Sequence, residues 1–188
     1  MKAKTIAIIG VDGAGKSTVI QNLKQLLKDE CVVQYMGSRS YEDAKLVKLL
    51  CQTSMTKVEF LYSIWLRYRC FWKRYKQAVA SGKIVLFDRS VDEIYINSSG
   101  VFKLMYTVLY KYMFPSPSSL IYLHCSAEAS LRRKDDIPDP DVFRAKKARF
   151  DRCFLNNPKC LCLNSEEHNP QELTKLVYNY IVEHYCHE

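Results

Sequence analysis

The chain has 188 residues, 48% of them hydrophobic and 26% charged. That is the length of one domain with its own core, and the composition excludes a disordered, collagen-like or coiled-coil chain. No apolar run reaches the ~18 residues of a membrane helix and nothing resembles a signal peptide, so we expect a cytoplasmic protein with no membrane partner. The 28 Lys and Arg residues exceed the 20 Asp and Glu residues, for a net charge of +8, which favours anionic partners.

The hydrophobic pattern predicts five strands. Residues 5–9 form a short apolar run that ends at a glycine, which is typical of a strand buried on both faces. Four further strands are predicted at 31–36, 84–87, 120–124 and 160–163. Because helices separate them, we expect an α/β fold with a doubly wound, five-stranded parallel sheet, and a ligand site beyond the carboxyl ends of its strands.

Apolar spacing and capping residues predict the helices. A long helix of about seven turns lies between a capping box at Thr56 and a terminating glycine at Gly82. A second capping box opens a helix at Ser90, and Asn169 with Pro170 opens the last one. The remaining helices are predicted at 16–28, 42–50, 102–114, 126–133 and 142–155, with a polar loop over 134–141.

The long predicted helix is both basic and aromatic. Residues 60–87 contain no carboxylate and six cations, which are Arg67, Arg69, Lys73, Arg74, Lys76 and Lys83. Such a helix is either a nucleic-acid face or the wall of a phosphate pocket with a solvated outer side. Since nothing else in the chain resembles a nucleic-acid module, we predict no nucleic-acid partner.

A glycine-rich loop follows the first strand and precedes the first helix. Gly10-Val-Asp-Gly-Ala-Gly15-Lys16-Ser17 fits the pattern G-x-x-x-x-G-K-[ST] of a P-loop. Its amides and the helix N-terminus form an anion nest, Lys16 is predicted to reach the β- and γ-phosphates, and Ser17 to offer its hydroxyl to Mg²⁺. The sequence therefore predicts a site for ATP and Mg²⁺, and its donor-binding residues are Gly10, Asp12, Gly13, Ala14, Gly15, Lys16, Ser17 and Thr18.

The third strand ends in a second charged group. Asp88 follows four apolar residues, which predicts a carboxylate near the Mg²⁺. The guanine and switch motifs of regulatory GTPases are missing, as is the transporter signature, and Arg89 stands where water-activating ATPases have Glu. These features favour a kinase of a small molecule, which must exclude water by closing a lid. We place the lid at residues 132–142 of a single domain over 1–188, with Arg132 and Arg133 to neutralise charge on the transferred group.

These motifs together resemble the thymidylate kinase family. The loop from Gly10 to Thr18 carries that family's acidic residue, and Gly82-Lys-Ile-Val-Leu-Phe-Asp88-Arg89-Ser90 is similar to its G-x-x-V-x-x-D-R-Y segment. The helix that reaches Arg67 and the segment 126–154 resemble the family's substrate-binding helix and its lid.

The resemblance implies a role for each residue. Asp12 would contact the acceptor, Arg89 would hold phosphates of donor and acceptor, and the acceptor phosphate would lie on Arg67 and Arg39. Because the P-loop has no arginine of its own, the catalytic arginine would be Arg132 or Arg133, and residues 164–167 would line the adenine. The family also implies a homodimer and a nucleoside monophosphate as acceptor.

The acceptor half departs from the family pattern. Ser90 replaces the tyrosine, the family's S-x-x-A-Y-Q segment is not recognisable in residues 91–100, and Ser63 falls where a phenylalanine should stack on the base. Two alternatives therefore stay open. One is a kinase of a deoxynucleoside or a phosphorylated sugar with the same fold, and the other is a module that binds a nucleoside triphosphate without turnover.

Overall fold

The computed structural model describes residues 4–36, 56–90, 93, 96, 108, 112, 116–134 and 137–185. Within the helix at 56–80 it describes the side chains of residues 62, 65, 66, 68, 69, 72, 73 and 75–80. The predicted helix at 42–50 lies outside these residues, as does most of 90–114, where Glu93, Ile96, Val108 and Tyr112 are helical.

Five parallel strands form one sheet in the order β2-β3-β1-β4-β5. The strands are β1 Thr5–Ile9, β2 Cys31–Tyr35, β3 Ile84–Asp88, β4 Ser119–His124 and β5 Cys160–Asn164. The predicted α/β sheet is confirmed, and each strand boundary differs from its prediction by at most one residue. All five residues of the central strand β1 are buried, as the unbroken apolar run indicates.

The described helices flank this sheet. They are α1 Lys16–Leu27, α2 Thr56–Ala80, α3 Ala127–Arg133, α4 Pro140–Phe154 and α5 Pro170–Tyr185, with a short 3-10 turn at Lys28–Glu30. Helix α4 begins two residues before its prediction. Asp139 accepts hydrogen bonds from the amides of Asp141 and Val142, and Pro140 supplies a preset first helical residue.

Side-chain packing holds the helices that carry the site. Helix α1 buries Val19, Leu23 and Leu27 and packs against α5. Helix α4 buries three phenylalanines, and the rings of Phe150 and Phe154 lie 6.4 and 5.4 Å from that of Tyr122 on β4. Apolar burial on this scale stabilises by about 1.5–3 kcal/mol for each side chain, so both helices are anchored independently of any ligand.

The parallel topology brings the strand ends together. In the sheet register, Ile8 of β1 pairs with Asp88 of β3, and His124 of β4 pairs with Asn164 of β5. The segments after β1, β3, β4 and β5 therefore share one edge of the sheet, which is the edge predicted to hold the ligand. Among the described residues, no helix combines the length and the apolar character needed to cross a membrane.

Candidate active site

The glycine-rich loop lies between β1 and α1, as predicted. Gly10 has φ +151°, and a Cβ built there would lie 2.3 Å from the Leu123 carbonyl oxygen. A Cβ at Gly13, where φ is +84°, would lie 3.0 Å from the backbone of Ser130. The loop is thus pressed against the end of β4 and against α3, and glycine is required because a side chain would collide with backbone.

Lys16 opens α1 and points back into the loop. Its Nζ donates hydrogen bonds of 2.7 Å to the carbonyls of Gly10 and Val11, and the residue is 6% exposed. Burial lowers the pKa of Lys16, against the opposing attraction of Glu93, Asp12 and Asp88. The ammonium is therefore held under the loop by acceptors that phosphate oxygens can replace.

Asp12 and Arg89, to which the resemblance assigns separate roles, form an ion pair in the structure. Arg89 follows β3 with φ +73°, a left-handed conformation that is uncommon for a non-glycine residue and is enriched at functional sites. Its Nη2 donates to Asp12 Oδ1 at 2.6 Å. Burial opposes ionisation of Asp12, but Arg89 and Lys146 outweigh it and hold the pKa of that carboxyl well below its usual value. At neutral pH the Asp12 side chain is therefore ionised beside the P-loop.

Glu93 is a site residue that sequence reasoning missed. It is 4% exposed, its Oε1 accepts from the Gly10 amide at 3.4 Å, and its Oε2 accepts from Arg89 Nη1 at 3.1 Å. Burial raises the pKa of Glu93, opposed by the charges of Lys16 and Arg89. Its only signal in the sequence is the last position of the Ser90 capping box, which indicates a helix start and not a contact with the P-loop.

Lys146 is a second residue that the sequence did not reveal. Its Nζ lies 3.5 Å from Asp12 Oδ2, and 6.0 Å from the ring centre of Phe150. The adjacent Lys147 turns away and pairs with Asp151 on the same helix. Two neighbouring lysines give no local signal of which one faces the site, because the direction depends on how α4 packs.

Asp88 and Ser17 are the two residues that the sequence analysis predicts to bind Mg²⁺. Asp88 ends β3, and burial raises the pKa of its carboxyl against the opposing charges of Lys16 and Arg89. Ser17 is exposed on the first turn of α1. The described residues contain no cluster of three or more His, Cys, Asp or Glu side chains that could hold a metal. A carboxylate and a hydroxyl nevertheless fit Mg²⁺, which takes few protein ligands and completes its shell with phosphates and water.

Arg133 ties three segments together. Its Nη1 donates to the Gly13 carbonyl at 3.2 Å and to Ser165 Oγ at 3.0 Å, and its Nη2 donates to the Ser165 carbonyl at 3.1 Å. At the other end of α3, Glu166 accepts from the amide and the hydroxyl of Ser126. Residues 164–167, which are predicted to line the adenine, are therefore hydrogen-bonded to both ends of helix α3. Arg132, the other predicted lid arginine, is exposed on the same helix.

The predicted contacts of Arg39 and Arg67 with the acceptor phosphate stay predictions. Arg39 and the side chain of Arg67 lie outside the described residues. The described part of α2 shows a hollow of about 400 Å³ lined by Trp65, Tyr68, Arg69, Trp72 and Lys76. Arg69, Lys73 and Lys76 are exposed there, which agrees with a solvated outer side for this basic helix.

Comparison with known proteins supports the family resemblance. Residues 8–175 match the family model described as thymidylate kinase. The chain is also similar to a solved structure of deoxyadenosine kinase from M. mycoides with the products dCMP and a flexible dCDP bound. The TM-score is 0.63 at 18% sequence identity, over 95% of this chain and 99% of that one. This likeness confirms the P-loop kinase fold. A search of curated proteins finds no match.

Proposed function

The chain belongs to the thymidylate kinase family and is a phosphotransferase of the nucleotide kinase type, and from this premise we propose that it transfers the γ-phosphoryl group of Mg-ATP to a nucleoside monophosphate. The observation that carries the proposal is the convergence of cations on the P-loop. Lys16 contacts its Gly10 and Val11 carbonyls, Arg89 contacts Asp12, and Arg133 contacts the Gly13 carbonyl. Three elements thus bring positive charge to one anion nest, which is what a triphosphate requires.

The donor would lie along the loop and the N-terminus of α1. Phosphate oxygens would replace the Gly10 and Val11 carbonyls on Lys16, so the buried ammonium exchanges weak partners for charged ones. Ser17 and Asp88 would hold Mg²⁺, which supplies charge neutralisation when bound. Ser165, fastened by Arg133, would support the base.

The acceptor would lie on the other side of Asp12. The Asp12 side chain is 30% exposed, so its carboxylate is accessible to a sugar hydroxyl of the acceptor. Arg89 would hold the acceptor's phosphate beside it. Arg39 and Arg67 complete the proposed acceptor site. No protein nucleophile is needed, because the work is to align the groups and to stabilise charge, with Arg132 as the cation on the transferred group.

A second acceptor class is favoured by one observation. Ser90 is 4% exposed in the turn after Arg89, where the family pattern has tyrosine, and deoxynucleoside kinases carry an acidic-Arg-Ser triplet at this point. A kinase of a deoxynucleoside or a phosphorylated sugar is therefore the alternative. A homodimer, a cytoplasmic location and the lack of a nucleic-acid partner stay predictions from sequence.

The test is ADP release from Mg-ATP, measured against a panel of nucleoside monophosphates, nucleosides and sugar phosphates. Stimulation by thymidylate or another monophosphate supports the proposal and identifies the acceptor. Stimulation by nucleosides or sugar phosphates alone selects the alternative. A flat response in a protein that binds Mg-ATP tightly would contradict phosphoryl transfer to any of these acceptors.

A further inference from the structure

The buried carboxylate of Glu93 has no part in the roles assigned above. Its side chain is 5% exposed, and its two oxygens contact two atoms of the site, the Gly10 amide and Arg89 Nη1. Burying a carboxylate destabilises the folded protein unless the group is paired and hydrogen-bonded. A protein with an apolar residue at such a position is often just as stable. A buried acid with these two partners therefore indicates a function in the site.

The two acids on Arg89 are not equivalent. Glu93 is buried and lies four residues after Arg89 in the chain, whereas Asp12 is 30% exposed in the loop. Asp12 also has a second cation, because Lys146 lies 3.5 Å from its other oxygen. When Arg89 leaves Asp12, Lys146 still compensates the charge of Asp12. The second cation near Glu93 is Lys16, whose ammonium donates its hydrogen bonds to the Gly10 and Val11 carbonyls.

The backbone of Arg89 is fixed independently of its side chain. Its amide donates to the Ile8 carbonyl at 3.1 Å, and its φ of +73° is set by the turn after β3. With the backbone held, the direction of the long side chain depends on the partners of its guanidinium. A flexible arginine side chain loses conformational entropy when it is ordered. If a buried partner already orders the side chain in the free protein, substrate binding does not carry that entropy cost.

We propose that Glu93 is the positioning residue of Arg89: it holds Nη1 against the first glycine of the P-loop, so that Nη2 exchanges Asp12 for a phosphate oxygen of the substrate. This inference rests on the proposed phosphoryl transfer. In this arrangement Glu93 is the permanent partner of the guanidinium and Asp12 is the exchangeable one. Glu93 itself does not touch the substrate.

The experiment compares Glu93→Gln with Glu172→Gln in the full chain. Both glutamates accept a backbone amide, since Glu172 Oε2 accepts from Asn169, but Glu172 caps α5 away from the P-loop. In Glu93→Gln we expect kcat to fall by about 10- to 100-fold, with the Kd of Mg-ATP within about twofold and the melting temperature within about 3 °C of wild type. Glu172→Gln should change neither kcat nor Kd. Should Glu93→Gln fail to melt cooperatively, Glu93→Asp keeps the charge with a shorter reach and should give an intermediate kcat.

Arginine-labelled NMR gives a readout that does not depend on turnover. In the wild type, slow rotation of the Arg89 guanidinium should give separate Nη signals. They should merge in Glu93→Gln, whereas the Nη1 signal should persist in Asp12→Asn. Wild-type kcat in Glu93→Gln, or unchanged Arg89 signals in that variant, overturns the inference. If the wild type turns over no acceptor, the proposed function fails, and the NMR comparison alone decides whether Glu93 positions Arg89.

Discussion

Replacing Arg133 by methionine should damage the donor site and leave the chemical step largely intact. The substitution keeps an unbranched side chain on α3 but removes three hydrogen bonds, one to the Gly13 carbonyl and two to Ser165. It therefore releases the segment after β5 from the P-loop. The neighbouring Arg132→Met is the matched control, because it removes the same charge from the same helix.

The size of the effect follows from those three bonds. Arg133 is exposed, so each bond contributes at the low end of the net range, about 0.5–1 kcal/mol. Their sum of roughly 1.5–3 kcal/mol corresponds to a melting temperature lower by about 3–12 °C for a chain of this length. Because the released segment must be ordered again when the nucleotide binds, the Kd of Mg-ATP should rise by about tenfold, which is 1.4 kcal/mol.

Isothermal titration with Mg-ATP and a thermal melt measure both quantities without an acceptor. Arg132→Met should leave the Kd and the melting temperature unchanged and lower kcat by about 10²-fold in the ADP-release assay, as expected for a cation on the transferred group. If Arg133→Met binds Mg-ATP as the wild type does, the hydrogen bonds to Ser165 do not shape the donor site. If Arg132→Met is the variant that loses ATP affinity, the two roles are reversed.

Three further changes test other parts of the site. Lys16→Met should abolish turnover, by at least ~10²-fold, yet keep a cooperative melt, because burial already disfavours the charge of Lys16 in the folded state; loss of the melt would show a structural role. Asp12→Asn should destabilise the fold at neutral pH, since the folded pKa of Asp12 lies below its usual 3.8 and its ionised form stabilises the fold above that value. The difference from wild type in urea unfolding should shrink as the pH falls below about 4, and a difference independent of pH would contradict the ion pair. Arg67→Ala should raise the KM for the acceptor without changing the Kd of Mg-ATP, whereas an equal loss of ATP affinity would place Arg67 at the donor site.

The sequence by itself determined the scaffold and the place of the P-loop in it. Strand β1 is an unbroken apolar run before a glycine-rich turn, and both signals are local, so the P-loop, Lys16 and Ser17 could be placed without coordinates. Asp88 and Arg89 could be placed for the same reason, because they directly follow a short apolar strand. The predicted start of helix α4 is two residues too late, because Asp139 and Pro140, which fall in the predicted loop over 134–141, are the N-cap and the first residue of the helix.

Only the tertiary structure decided which charges meet. Arg89 and Lys146 contact Asp12 across 77 and 134 residues of chain, and Arg133 contacts Gly13 across 120. These contacts exist because parallel strands bring their carboxyl ends to one edge, and because α3 and α4 pack with particular faces toward it. The local sequence around Glu93 is a helix-capping pattern, and Lys146 and Lys147 are adjacent lysines. Neither pattern indicates which side chain faces the P-loop. Local sequence sets the conformation of each segment, but the direction of a long charged side chain is set by partners that only folding brings within hydrogen-bond distance.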